Sequence, residues 1–167
     1  MRKLLRTILF FAVVFIFNSC SSDSAEASTN ETTSAALVTN YTYNDTELEV
    51  LQLINKYRVS IGLNTLERVN YISYKSEEHD YYMIENNVVN HNDFVARSEN
   101  IIAVLGAKTV GENIAYNYQT ADAVLKAWLE SPSHKQNIEG DYTHFGIAVK
   151  IDAETGKKYY TNIFAKI

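Results

Sequence analysis

The chain is nearly devoid of cysteine and proline: Cys20 is the single thiol and Pro132 the single proline among 167 residues. One cysteine cannot make an internal disulfide, so any domain downstream of it is held by its core alone, although a secreted location would have permitted bridges. Runs of Lys or Arg interleaved with aromatics are also missing. That absence argues against nucleic acid as a partner, because such binding rests on neutralising phosphates. The uninterrupted apolar run, residues 8–17, is too short to cross a bilayer as a helix. No self-similarity recurs at a period of 20 to 50 residues, which argues against a solenoid.

What is present divides the chain in three. Residues 1–19 have the form of a secretory signal, with Arg2, Lys3 and Arg6 ahead of the apolar run. Phe17-Asn18-Ser19-Cys20 then resembles a bacterial lipobox, which would make Cys20 the first mature residue and its lipid anchor. Multiple acyl chains give a stable attachment where one gives marginal binding. The expected location is the cell envelope, at the outer membrane. Loss of residues 1–19 removes three of the 15 basic residues and none of the 20 acidic ones, leaving a net charge of −8. Residues 20–45 are rich in Ser, Thr, Ala, Asn and Glu and read as a flexible tether. Three glycosylation-type triplets begin at Asn30, Asn40 and Asn44 and are coincidental in a bacterial lipoprotein. From residue 46 to 167 the chain, with 46% hydrophobic and 12% aromatic residues overall, has enough apolar material for one domain.

Within that domain Thr46-Glu47-Leu48-Glu49 fits a capping box, and Leu48, Leu51, Ile54 and Tyr57 recur at helical spacing up to Gly62. A second helix is predicted over about 69–87, with Ile72, Ser76, His79 and Met83 on one face and His79 read as a core histidine. A third is predicted over about 93–105, carrying Phe94, Arg97, Ile101 and Leu105 on one face, with Gly106 closing it. Thr120 is the expected N-cap of a fourth, which buries Val124, Leu125 and Trp128. Pro132 should stop it, since the residue before proline is pushed out of the helical region. His134 follows that stop. Phe145, Ile147, Val149 and Ile151 then alternate, as do Tyr159, Thr161, Ile163 and Ala165, around Glu154-Thr155-Gly156. This is the pattern of a β-hairpin. About four helices packed on an antiparallel sheet, an α+β domain, would bury these faces.

The chemistry-bearing stretch is Gly111-Glu112-Asn113-Ile114-Ala115, where a carboxylate sits in a buried, extended run and needs a partner. With Asn90-His91, Arg97, Trp128, Ser131-Pro132-Ser133-His134, Asn137-Ile138 and His144-Phe145-Gly146-Ile147-Ala148-Val149, all in this order, the chain from about 46 to 167 resembles the CAP superfamily, in its bacterial SCP-like form. The resemblance implies a three-layer α-β-α sandwich and a cleft lined by His91, Glu112, Asn113, Ser131 and His134. Ser131 stands where many members carry a second acid, and Glu130 beside it would point elsewhere on a regular helix.

Two neutral imidazoles, His91 and His134, suit zinc or a similar borderline cation, but two are fewer than stable sites use. The expectation is a labile metal completed by water, with Glu112 either orienting a histidine or acting on that water. A fold does not by itself assign a function. Three readings therefore stand at this point. The first is a non-enzymatic, monomeric envelope protein, anchored to the membrane through Cys20, whose cleft holds a metal ion, small molecule, peptide or protein. The second is a hydrolase in which Glu112, with His91 and His134, activates a water. The third is a structural or adhesive lipoprotein. Ser131 or Ser133 with His134 lacks the strand-turn-helix elbow of a serine nucleophile.

Overall fold

The computed structural model describes residues 40–167. The signal segment and the Cys20 anchor lie outside the described residues. Five helices and four strands follow in order: α1 (Asp45–Ser60), β1 (Glu67–Arg68), α2 (Asn70–Glu85), α3 (Phe94–Leu105), β2 (Thr109–Tyr116), α4 (Ala121–Glu130), α5 (Pro132–Ile138), β3 (His144–Ile151) and β4 (Lys158–Lys166). The sheet order is β1-β3-β4-β2. β1 runs parallel to β3, and the remaining pairs are antiparallel.

The expected hairpin is the β3–β4 pair, with Phe145 opposite Phe164 and Ile151 opposite Lys158. Its second strand is central and is buried from Tyr159 through Ala165. A strand buried at consecutive positions has both faces covered, since neighbouring side chains point to opposite sides. On one face Tyr71 and Ile72 of α2 and Ile101 of α3 meet Ile163 and Ala165, and Met83 meets Ile114 and Tyr159. On the other, Val50 and Ile54 of α1, Val124 and Trp128 of α4 and Ile138 of α5 meet Phe145, Tyr160 and Phe164. The result is the expected three-layer α-β-α sandwich.

Two close contacts fix the layers. A Cβ on Gly146 would lie 2.7 Å from the carbonyl carbon of Ile72 and closer still to the backbone nitrogen of Ser73, so α2 rests directly on β3. Arg58 is wholly buried at the end of α1. Its guanidinium donates to the carbonyls of Asn64 (2.8 Å), Ile138 (2.6 Å) and Gly140 (3.0 Å), tying α1 to the end of α5.

The structure departs from the sequence reading at three places. The first helix is capped by Asn44, not Thr46: the Asn44 side chain accepts from the Glu47 amide, and the Glu47 carboxylate accepts from the Asn44 amide. Glu47 is drawn inward because its other oxygen accepts from the Val149 amide of β3 at 2.8 Å. Tyr41, Tyr43 and Asn44, read as the end of the tether, consequently dock on the domain; Tyr41 donates to Glu47 and the Tyr43 hydroxyl lies 2.8 Å from that of Ser73. Five helices lie among the described residues where about four were expected, because Pro132 ends α4 and also opens α5, where a missing N–H costs nothing. The third difference is β1, whose two exposed residues carry no alternation.

Candidate functional site

β2 is the outermost strand on its side of the sheet, and alternation along it sends Glu112 and Asn113 to opposite faces. Glu112 points at α2 and α3. Its side chain is 1% exposed and its carboxylate is saturated with charged and polar donors. Arg97 of α3 donates through Nε to Oε2 at 3.0 Å and through Nη2 to Oε1 and Oε2 at 3.0 and 2.8 Å. His91, in the loop before α3, donates through Nδ1 to Oε1 at 2.8 Å. The buried carboxylate thus has the partner it requires. Because a carboxylate only accepts, Nδ1 of His91 carries a proton, and in the neutral imidazole Nε2 is then the nitrogen with the lone pair. That imidazole is half exposed, at 48%.

His79 completes the surroundings from α2. Its Nε2 donates to the carbonyl of Asn90 at 2.8 Å and lies 4.0 Å from Glu112 Oε1. It is a core histidine, as expected, and burial pushes its imidazole below the ordinary value. Its Nδ1 has no hydrogen-bond partner among the described residues.

Asn113 faces α5. It is wholly buried, donating through Nδ2 to the carbonyl of His134 at 3.0 Å and accepting from Asn137 at 2.8 Å. It therefore lies behind the cleft wall and not on it, and its effect is to fix the backbone that carries His134. Asn137 also donates to the Glu112 carbonyl at 3.0 Å, and Trp128 Nε1 donates to the Ile114 carbonyl at 2.9 Å. These two side chains satisfy outward carbonyls of the edge strand that would otherwise invite pairing with another chain. Gly111 permits this packing, since a Cβ there would lie 2.9 Å from Asn137 Oδ1 and would overlap the Tyr142 hydroxyl.

His134 sits on α5 beside a groove of about 340 Å³, whose lining includes Tyr116, Tyr118, Trp128 and Ser131. Burial first, and the neighbouring His91 second, push the His134 imidazole below its ordinary value, which favours the neutral form at neutral pH. Ser131 supplies a hydroxyl, 3.4 Å from that of Ser133, and no acid. Glu130 points away and pairs with Lys126 at 3.8 Å. Among the described residues no group of three or more His, Cys, Asp or Glu side chains converges as a metal site.

Residues 51–164 match the profile of the cysteine-rich secretory protein family, CAP. The chain belongs to this family. Its CAP domain is 34% identical over 126 residues to the uncharacterized membrane protein YlbC of Bacillus subtilis strain 168, an alignment covering 72% of this chain and 34% of that protein. It is 31% identical over 134 residues to YkwD of the same organism, covering 78% of this chain and 51% of the relative. The chain thus spans between a third and about half of the length of these curated relatives. In three dimensions the CAP domain is similar to an outer surface protein of Borrelia burgdorferi, with a TM-score of 0.65 and 22% identity over 74% of this chain and 96% of that one. It is also similar to an extracellular protein containing an SCP domain from Bacillus anthracis, with a TM-score of 0.64 and 23% identity over 73% of this chain and 40% of that one. At these identities the structural likeness bears on fold alone.

The role of Arg97 was missed in the sequence, where it appears on a helix face and in the order of residues that carries the CAP resemblance, with no partner assigned. The available signal was the demand of Glu112 for a counter-charge, which a cation on the inner face of α3 answers.

Proposed function

We propose that this protein is an envelope-anchored CAP-domain lipoprotein whose cleft binds a borderline divalent cation of the zinc type, or a ligand that such an ion recruits, without turning over a substrate. The observation that carries the reading is the hydrogen bond from His91 Nδ1 to the buried Glu112 carboxylate. In the neutral imidazole it leaves the lone pair on Nε2 of a half-exposed ring, the arrangement in which a carboxylate behind a histidine raises its basicity and fixes its tautomer for a metal. His134, favoured neutral by its surroundings, is the second donor. The donor set fits a weakly held ion, because two imidazoles leave the remaining positions to water or to ligand atoms. When bound, the ion would supply a Lewis-acidic attachment point for an oxygen or nitrogen of the ligand.

Glu112 suits the orienting role better than that of a base acting on water. Both its oxygens are engaged by Arg97, and a group held in this way has no free position from which to take a proton. Attachment through Cys20 to the outer membrane completes the reading. It is supported by the composition of the first 45 residues and by a relative described as a membrane protein.

Calorimetric titration of zinc into the protein tests the proposal. Binding that is lost in both His91→Ala and His134→Ala, each with its melting transition retained, is expected. Binding that survives both substitutions refutes it.

A further inference from the structure

The loop between α2 and α3 carries His91, and side chains that do not reach the groove grip it on both sides of that residue. His79 Nε2 donates to the carbonyl of Asn90, the residue before His91, at 2.8 Å. Arg97 Nη1 donates to the carbonyl of Asn92, the residue after it, at 2.8 Å, while its Nε and Nη2 hold Glu112. His79 is buried, and the Arg97 side chain is only 10% exposed. The ring of His79 stacks on Tyr82, with centroids 5.8 Å apart and planes 10° from parallel, and the Tyr82 hydroxyl accepts from the Asn92 side chain at 2.8 Å. Two non-glycine residues with positive φ, Asn87 at 50° and Asp93 at 58°, bracket the loop. Such backbone persists where its surroundings over-determine it, and it clusters at sites that need a fixed geometry.

We propose that Arg97 and His79 are positioning residues that aim the His91 Nε2 lone pair into the cleft by gripping the two carbonyls that flank it. Neither touches the ligand. A single guanidinium holds Glu112 through two nitrogens and Asn92 through a third, a geometry the one nitrogen of lysine cannot reproduce. This inference rests on the reading of His91 as a binding group, but its first consequence is visible without any ligand.

The test is the imidazole tautomer of His91 in the metal-free full chain, read from long-range proton–nitrogen NMR at mildly alkaline pH, beside zinc affinity. The parent protein should show His91 protonated on Nδ1. Arg97→Lys, which keeps the charge, and His79→Phe, which keeps a ring but removes the donor, should each give averaged shifts from mixed tautomers and weaken zinc roughly 10- to 100-fold. His79→Gln, which retains a donor, should move both readouts back toward the parent. His144, bonded instead to Thr143, should not move, which separates a local change from a damaged fold. If His91 stays protonated on Nδ1 alone in both variants, the positioning role is overturned. A change in one variant only confines the role to that residue. If the tautomers change as expected while zinc fails to bind the parent, the metal reading falls and the positioning role stands.

Discussion

Glu112→Gln is the substitution that probes the site's energetics most directly. The native carboxylate accepts from Arg97 Nε and Nη2 and from His91 Nδ1 at 2.8 to 3.0 Å. Gln offers one acceptor oxygen and an amide that donates, so in either orientation a donor faces a donor. Hydrogen bonds to a charged group contribute about 1.5 to 3 kcal/mol each, and removing one partner of a buried pair costs about 3 to 5 kcal/mol. The half-exposed His91 recovers water more readily than the nearly buried Arg97, which places the expected loss near the lower end, about 3 kcal/mol. Urea unfolding measures it, since a shifted midpoint at constant slope reports stability alone. Arg97→Met should cost a similar amount, and the double variant should cost less than the two losses added, with a coupling of about 1 to 3 kcal/mol. Single losses under about 1 kcal/mol that simply add would refute the argument that this pair holds the site together.

Other parts of the fold make equally definite demands. Asp80 is buried on α2, with Thr161 donating to one oxygen at 2.6 Å and the other oxygen unpartnered among the described residues. Burial pushes its carboxyl well above the ordinary value. A group raised in this way stabilises the native state fully below the unfolded value and loses that contribution as pH rises through the native one. Urea unfolding between about pH 4 and 8 should therefore show the parent losing stability that Asp80→Asn retains; parallel profiles would contradict this. Gly146→Ala should cost about 3 kcal/mol or more, at or beyond the top of the usual overpacking range, because the two nearest obstructing atoms are backbone and the third is the Ile72 Cβ fixed to it. An unchanged melting temperature would mean that α2 can lift from β3. Arg58→Met strands the buried carbonyl of Ile138 and removes a donor from those of Asn64 and Gly140, the last of which keeps the Tyr142 amide, and should destabilise by at least about 1 kcal/mol, since each buried unsatisfied group costs about 1 to 3 kcal/mol. Recovery of full stability in that variant would show that water reaches them.

Legibility in the sequence followed the range of the forces involved. The β3–β4 hairpin and the inner face of α2 announce themselves through period, and Thr120 and Gly106 through local capping chemistry. The Asn44 cap was less visible because the choice over Thr46 depends on the Glu47 carboxylate reaching Val149, more than a hundred residues away. α5 is too short to display a period, and Pro132 reads equally as an end or a beginning. In the site, His91, Glu112 and His134 were recognisable as residue types in a familiar order. The division of labour among them was not. That Glu112 is held by Arg97, that Asn113 anchors α5 from behind, and that His79 secures the loop are consequences of three layers meeting at one edge strand.

If His91 and His134 donate to a metal while Glu112 stands behind His91, zinc must act on two of the four imidazoles and spare the others. All four histidines of the chain, His79, His91, His134 and His144, can be followed together by proton–nitrogen NMR during a zinc titration. The ring nitrogens of His91 and His134 should shift in concert and saturate, with His91 Nε2 as the affected nitrogen and Nδ1 still bonded to Glu112, while His79 and His144 stay in place. Shifts at His144 alone, or none at His91 and His134 up to millimolar zinc, would contradict the metal reading.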